Sequence, residues 1–183
     1  MDIMKKHLPW IVITVTLVII FGTIYGVAQQ ALRYDANYPQ IQLADDTVAS
    51  LNSGANPINL IGGNVNANSS LAPFIVIYDK LGEPVASSGL LNGKLPIAPF
   101  GILKAAEFSD YRAITWQPQA NLRFAAVTVA ANKYYVLSAR SLKEVEKNET
   151  KSLELAFIGG LGALVFLKVA YLFSGQTSLK FKK

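Results

Sequence analysis

The chain has no cysteine, one histidine, and few charges for its length: 16% of residues are Asp, Glu, Lys or Arg, against 51% hydrophobic. Without cysteine there is no disulfide, no thiolate nucleophile and no thiolate-ligated metal site. The one histidine, His7, lies at the N-terminal edge. The rest of the chain therefore has no imidazole for acid–base work or for zinc. Serines and carboxylates are present, but no nucleophile–base motif joins them. The chain is not expected to be an enzyme, and no cofactor or metal is expected.

Charge is missing above all from two blocks. The first, Leu8–Ala28, reads LPWIVITVTLVIIFGTIYGVA. A helix rises about 1.5 Å per residue, so this block spans about 30 Å, the thickness of a bilayer core. Lys5 and Lys6 before it and Gly26-Val27-Ala28 at its end also fit a secretory signal. The apolar run, however, exceeds the roughly 7–15 residues of a signal core, and an uncleaved anchor is the reading taken. The second block, Leu155–Phe173, reads LAFIGGLGALVFLKVAYLF. Only Lys168 interrupts it, near an end where a long stem lets the ammonium reach the headgroups.

Lys5 and Lys6 precede the first block; Lys180, Lys182 and Lys183 follow the second. The positive-inside rule then places both termini in the cytoplasm and the middle outside, in a two-pass protein of the cell membrane. The expected divisions are a cytoplasmic end (1–7), a transmembrane helix (8–28), an extracytoplasmic domain (29–152), a second transmembrane helix (153–173) and a basic tail (174–183). The net charge of +5 belongs to the flanks, because residues 29–152 hold 11 Lys and Arg against 10 Asp and Glu. A nucleic-acid partner loses its electrostatic footing.

In the middle segment, Ile41, Ala44, Val48 and Leu51 form one stripe of an amphipathic helix that continues from the first span. Pro39 suits a first helical turn, with Asn37 as its cap, so the helix is expected to kink or restart near Tyr38 and to end by Asn52–Gly54. Residues 54–72 read as loop, with or without a short turn of helix. Phe74–Tyr78 is β-branched and aromatic, Asp79–Gly82 is a turn, and Val85–Ser88 is the return strand. Ile102–Phe108 is expected as a short helix. Arg112–Gln117, Leu122–Ala130 and Tyr134–Arg140 follow as a meander. Ser141 with Glu144 makes a capping box for a last helix running into the second span. The fold class is α+β: a five-stranded antiparallel sheet with the long helix on one face and residues 89–111 over the other.

Over residues 30–150 this order resembles an extracytoplasmic PAS-like sensor domain of the Cache type. The residues that carry the likeness are IVIYDKLGEPVASSG, then RAITWQ, LRFAAVTVA and YYVLSARS, then LKEVEK. The resemblance implies a small-molecule pocket on the sheet face away from the long helix. It also implies signalling by movement of the membrane helices. Ser174–Lys183 holds no kinase, cyclase or coiled coil, so output would pass through a separate signalling membrane protein. The alternative is an interaction or assembly subunit that uses the same fold without sensing.

Arg112, Ile114 and Trp116 share one strand face. A guanidinium beside an indole is suited to a carboxylate ligand, with Tyr78 and Tyr111 lining the same pocket. Against this stands the plainer reading of Trp116 as core and Arg112 as a solvated strand end. Gly22 and Gly26, and Gly159 and Ala163, have the small-residue spacing that lets helices approach closely in lipid. They would pack either a homodimer or the two spans of one chain. Asn68-Ser-Ser and Asn148-Glu-Thr match a glycosylation triplet but are given no role, and Asp45-Asp46 reads as a solvated helix face.

Overall fold

The computed structural model describes residues 2–180. The side chains of residues 2–7, Ala36 and 174–180 lie outside the description, and with them the flanking groups Lys5, Lys6, His7 and Lys180; Lys182 and Lys183 lie outside it entirely. The chain divides into two compact units, Met1–Ala31 with Lys147–Lys183, and Leu32–Glu146.

The first unit is built from the ends of two long helices, α1 (Asp2–Asn52) and α4 (Lys143–Lys180). Both are long and apolar enough to cross a membrane, by length and composition alone. Within the apolar run of α1, Thr16 and Thr23 donate their hydroxyls to the carbonyls of Val12 and Ile19, at 2.9 and 2.8 Å. Each hydroxyl is thus satisfied inside its own helix. The Phe21 ring sits on Gly159 and Gly160, where a Cβ on Gly159 would stand 3.0 Å from it. Trp10 and Tyr171 meet with ring centres 6.0 Å apart.

The second unit is α+β. After α1 come α2 (Pro57–Leu60), β1 (Val65–Asn66), β2 (Phe74–Asp79), β3 (Pro84–Ser87), β4 (Gly89–Leu90) and α3 (Phe100–Ala105), the last continued by a 3-10 turn at Ala106–Phe108. Then follow β5 (Arg112–Gln119), β6 (Leu122–Ala130), β7 (Tyr134–Ser141) and α4. Strands β3-β2-β7-β6-β5 form one antiparallel sheet, while β1 and β4 make a small parallel pair. The first hairpin and the later meander are joined where β2 pairs with β7 from Phe74↔Ala139 to Asp79↔Tyr134.

The β2–β3 turn closes by the expected chemistry. Asp79 Oδ1 accepts from the amides of Leu81 and Glu83, both at 2.9 Å, and Gly82 takes φ +88°. Alternation along the strands separates two cores. On one face Phe74, Val76, Tyr78, Trp116, Phe124, Tyr135 and Leu137 pack together under Ala67, Ala98 and Leu103 of the covering segment. On the other, Ile75, Ile77, Val127, Val129 and Val136 pack against Ala44 and Leu51 of α1.

Three local expectations are corrected. α1 runs unbroken through Pro39, so Asn37 caps no new helix. Proline removes one backbone donor, but burial of the next stretch against the sheet holds the helix together. The deepest stripe is also rotated: Gln40, Ala44, Thr47 and Leu51 are buried, whereas Ile41 and Val48 are only partly so. At the start of α4, Ser141 Oγ accepts from the Lys143 amide at 3.3 Å, but the Glu144 carboxylate pairs with Arg140 at 3.3 Å. Glu144 has a cation within reach in preference to the cap.

Candidate functional site

The four residues expected to hold a ligand are not gathered around one opening. Tyr78 is fully buried and its hydroxyl donates to the Pro96 carbonyl at 3.0 Å. Burial drives its pKa far above the ordinary tyrosine value, because the phenolate would lose its hydration. Trp116 is buried, with its ring centre 5.6 Å from that of Phe124, which in turn meets Phe74 edge to face at 5.3 Å. Arg112 lies exposed at the start of β5, and Tyr111 is 46% exposed. Strand alternation does put Arg112, Ile114 and Trp116 on one face, but depth grades from open to closed along it: Ile114 is only partly buried. The indole is used by its aromatic neighbours and the guanidinium faces solvent.

A different constellation lies at the end of the sheet that holds the β2–β3 turn. The Tyr135 hydroxyl donates to Glu107 Oε1 at 2.5 Å. Lys80 Nζ stands 3.7 Å from the same carboxylate oxygen and 4.2 Å from the centre of the Tyr135 ring. Phe100 meets that ring edge to face at 6.4 Å. Strand, turn and cover each contribute: Tyr135 from β7, Lys80 from the β2–β3 turn, Glu107 from the 3-10 turn. The charged hydrogen bond lowers the Glu107 pKa, with help from Lys80 and Lys104, and raises Tyr135 to about 12. Gly82 completes the join, since a Cβ there would stand 2.7 Å from the Phe100 ring.

Around this clasp four large apolar side chains are exposed among charged ones. Leu81 is 82% exposed, Phe108 84%, Ile97 70% and Phe100 44%. Their chain neighbours belong to the clasp: Phe100 lies over Gly82 next to Leu81, Phe108 follows the Glu107 that holds Tyr135 and Lys80, and Ile97 follows Pro96, whose carbonyl accepts from Tyr78, the strand partner of Tyr135. Large apolar side chains left in water near one another make a candidate surface for another molecule. Sequence reasoning missed this surface. The signal was there: Leu81, Ile97 and Phe108 all fall in stretches too short to bury both sides of an element.

Other clefts are of different character. Asn68, Ser69, Asn121, Arg123, Lys143 and Glu146 line a polar cavity of about 180 Å³, across which Arg123 and Glu146 pair at 2.7 Å. Ile58, Asn64 and Ser87 border a wider one beside β3. In the first unit a groove of about 330 Å³ runs past Leu17, Gly22, Tyr25, Phe157 and Gly160. Of the helix-packing residues, Gly159 lies against Phe21, Ala163 is half-buried, and Gly22 and Gly26 have open space where a Cβ would be. None of these clefts is lined by Arg112, Trp116, Tyr78 or Tyr111. Among the described residues no group of three or more His, Cys, Asp or Glu is placed to hold a metal.

No protein-family model, no curated protein and no solved structure matches the chain.

Proposed function

We propose that the chain is a two-span membrane protein whose outer PAS-like domain is a non-enzymatic interaction or assembly module. The observation that carries this reading is the filled sheet face. Where a PAS-like sensor would keep room for a ligand, Phe74, Tyr78, Phe124, Tyr135 and Leu137 are each at most 2% exposed and pack on one another beneath Leu103. A ligand entering there would have to displace close-packed side chains, at the cost of the contacts it broke. The uncovered apolar side chains lie instead on the outside of the cover and on the β2–β3 turn, where a partner reaches them without unfolding anything. The PAS-like assignment is supported by the order of hairpin, cover, meander and closing helix, and by one sheet in which the hairpin's first strand pairs with the meander's last. The two spans are supported by the length and composition of α1 and α4.

A small-molecule sensor acting through a separate partner is the second reading. It is favoured by the continuity of α1 from Asp2 to Asn52 and of α4 from Lys143 to Lys180. Each helix runs without a break from an apolar segment into the outer domain, the connection such a sensor would use.

The full-length protein in detergent, heated in the presence of organic acids, amino acids and amines, separates the two. A ligand that binds only the folded state raises the melting temperature by mass action. The interaction reading predicts no rise across the panel. A concentration-dependent rise abolished by Arg112→Ala would establish the sensor.

A further inference from the structure

The partner that best fits the exposed apolar surface is a second copy of the same chain. We propose that two outer domains associate through Leu81, Ile97, Phe100 and Phe108, cover against cover, about a two-fold axis along the strands. The inference rests on the interaction reading above and gives that surface its occupant.

Three observations support it. The first is area. The four side chains, 44–84% exposed, present on the order of 500 Å² of apolar surface. That is near the upper end for the largest patch of a monomer. It is also most of the roughly 800 Å² that each partner contributes to a standard interface. The second is charge. The rim carries both signs, Lys80 and Lys104 beside Glu83 and Glu107. A two-fold axis sets a patch against itself, so a rim of one sign would repel and a mixed rim can pair.

The third is the placing of the surface within the domain. Asn52 Oδ1 accepts from the Asn132 amide at 2.9 Å, which pins the C-terminal end of α1 to the β6–β7 turn. The β2–β3 turn lies at that same end, because Asp79 pairs with Tyr134. β7 leaves into α4 at the opposite end of the sheet. The cover lies on the sheet face opposite α1. A two-fold axis along the strands therefore brings two covers together while keeping both exits from β7 into α4 at one end.

The absence of cysteine makes the test clean. Phe108→Cys introduces the only thiol, on an exposed side chain that folding does not need. In membranes under mild oxidation the proposal predicts a disulfide-linked dimer, and none from Asp45→Cys on the exposed side of α1. It further predicts that Leu81→Asp with Phe108→Asp turns the full-length protein from dimer to monomer in detergent, with unchanged circular dichroism, while Gly22→Leu with Gly26→Leu leaves the dimer intact. A monomeric parent protein, or a dimer that survives the aspartates, overturns the proposal. A monomer that still gives no thermal shift with any ligand fails this inference alone. A monomer stabilised by a ligand fails the interaction reading with it.

Discussion

The Tyr135 hydroxyl donates to the Glu107 carboxylate at 2.5 Å, and this one bond joins the last strand of the sheet to the segment covering it. The donor is a core residue and the acceptor is half in water, so the bond is a fastening whose outer half responds to pH.

The pH response has a definite sign. Glu107 is held below its ordinary value of 4.5, first by the Tyr135 bond. Its contribution is present above the unfolded value and is lost as pH falls through the lowered folded one. Tyr135 is raised from 10.0 to about 12, first by the Glu107 bond. Its contribution is complete below pH 10.0 and is lost as pH rises toward about 12. Tyr135→Phe is therefore expected to lower the melting temperature on a plateau between these limits. The difference from the parent protein should shrink in acid and again in strong alkali. Melting curves across that range check it, and a difference independent of pH would mean the bond contributes nothing.

Gln40 should be replaceable at a profit in stability. It is fully buried in the α1 stripe, and neither its Oε1 nor its Nε2 has a partner. Leucine fills a similar volume without leaving polar atoms dry. Gln40→Leu is expected to stabilise the domain by roughly 1–3 kcal/mol. Urea unfolding of the full-length protein measures it, and a loss of stability would show that the amide is satisfied.

Two glycines are held for different reasons. A Cβ on Gly89 would stand 2.5 Å from Phe74 Cγ, inside the aromatic core. Gly93 has φ +74° but open space around it. Gly89→Ala is expected to destabilise by overpacking, at about 1–3 kcal/mol. Gly93→Ala carries the milder penalty of a left-handed backbone, about 1 kcal/mol. Equal effects in denaturant unfolding would refute the distinction.

Trp116 and Arg112 should part company under mutation. Trp116→Ala removes a buried indole packed on Phe124 and is expected to cost about 3–5 kcal/mol. Arg112→Ala changes a solvated side chain and should stay within about 0.5 kcal/mol. Chemical denaturation of both variants decides the matter; a large effect at Arg112 would show that its charge is used in the fold.

Much of the sheet was legible because its signals are local. Leu122–Ala130 falls as expected to the residue, and Phe74–Tyr78 and Tyr134–Arg140 each extend by one. The Asp79–Gly82 turn was legible for the same reason: an aspartate bonding amides ahead of it needs nothing from the rest of the chain. Pro39 misled on a restart of the helix because its local preference is outweighed by packing that no window of sequence contains. Gln40 was missed because hydropathy places an amide outside. The Tyr135–Glu107 bond spans 28 positions and comes from strand pairing, which periodicity does not report. The apolar surface went unread because Leu81 and Phe108 were counted as turn and helix end, not as neighbours.

Trp116 offers the most direct test of whether the sheet face is a filled core or a ligand chamber. The chain has two tryptophans, so Trp10→Phe leaves Trp116 as the sole reporter. In the full-length Trp10→Phe protein, the account predicts blue-shifted emission, quenched several-fold less by acrylamide than free indole and unchanged by organic acids, amino acids or amines. Quenching near that of an exposed indole, or a shift on adding any of these molecules, would contradict it.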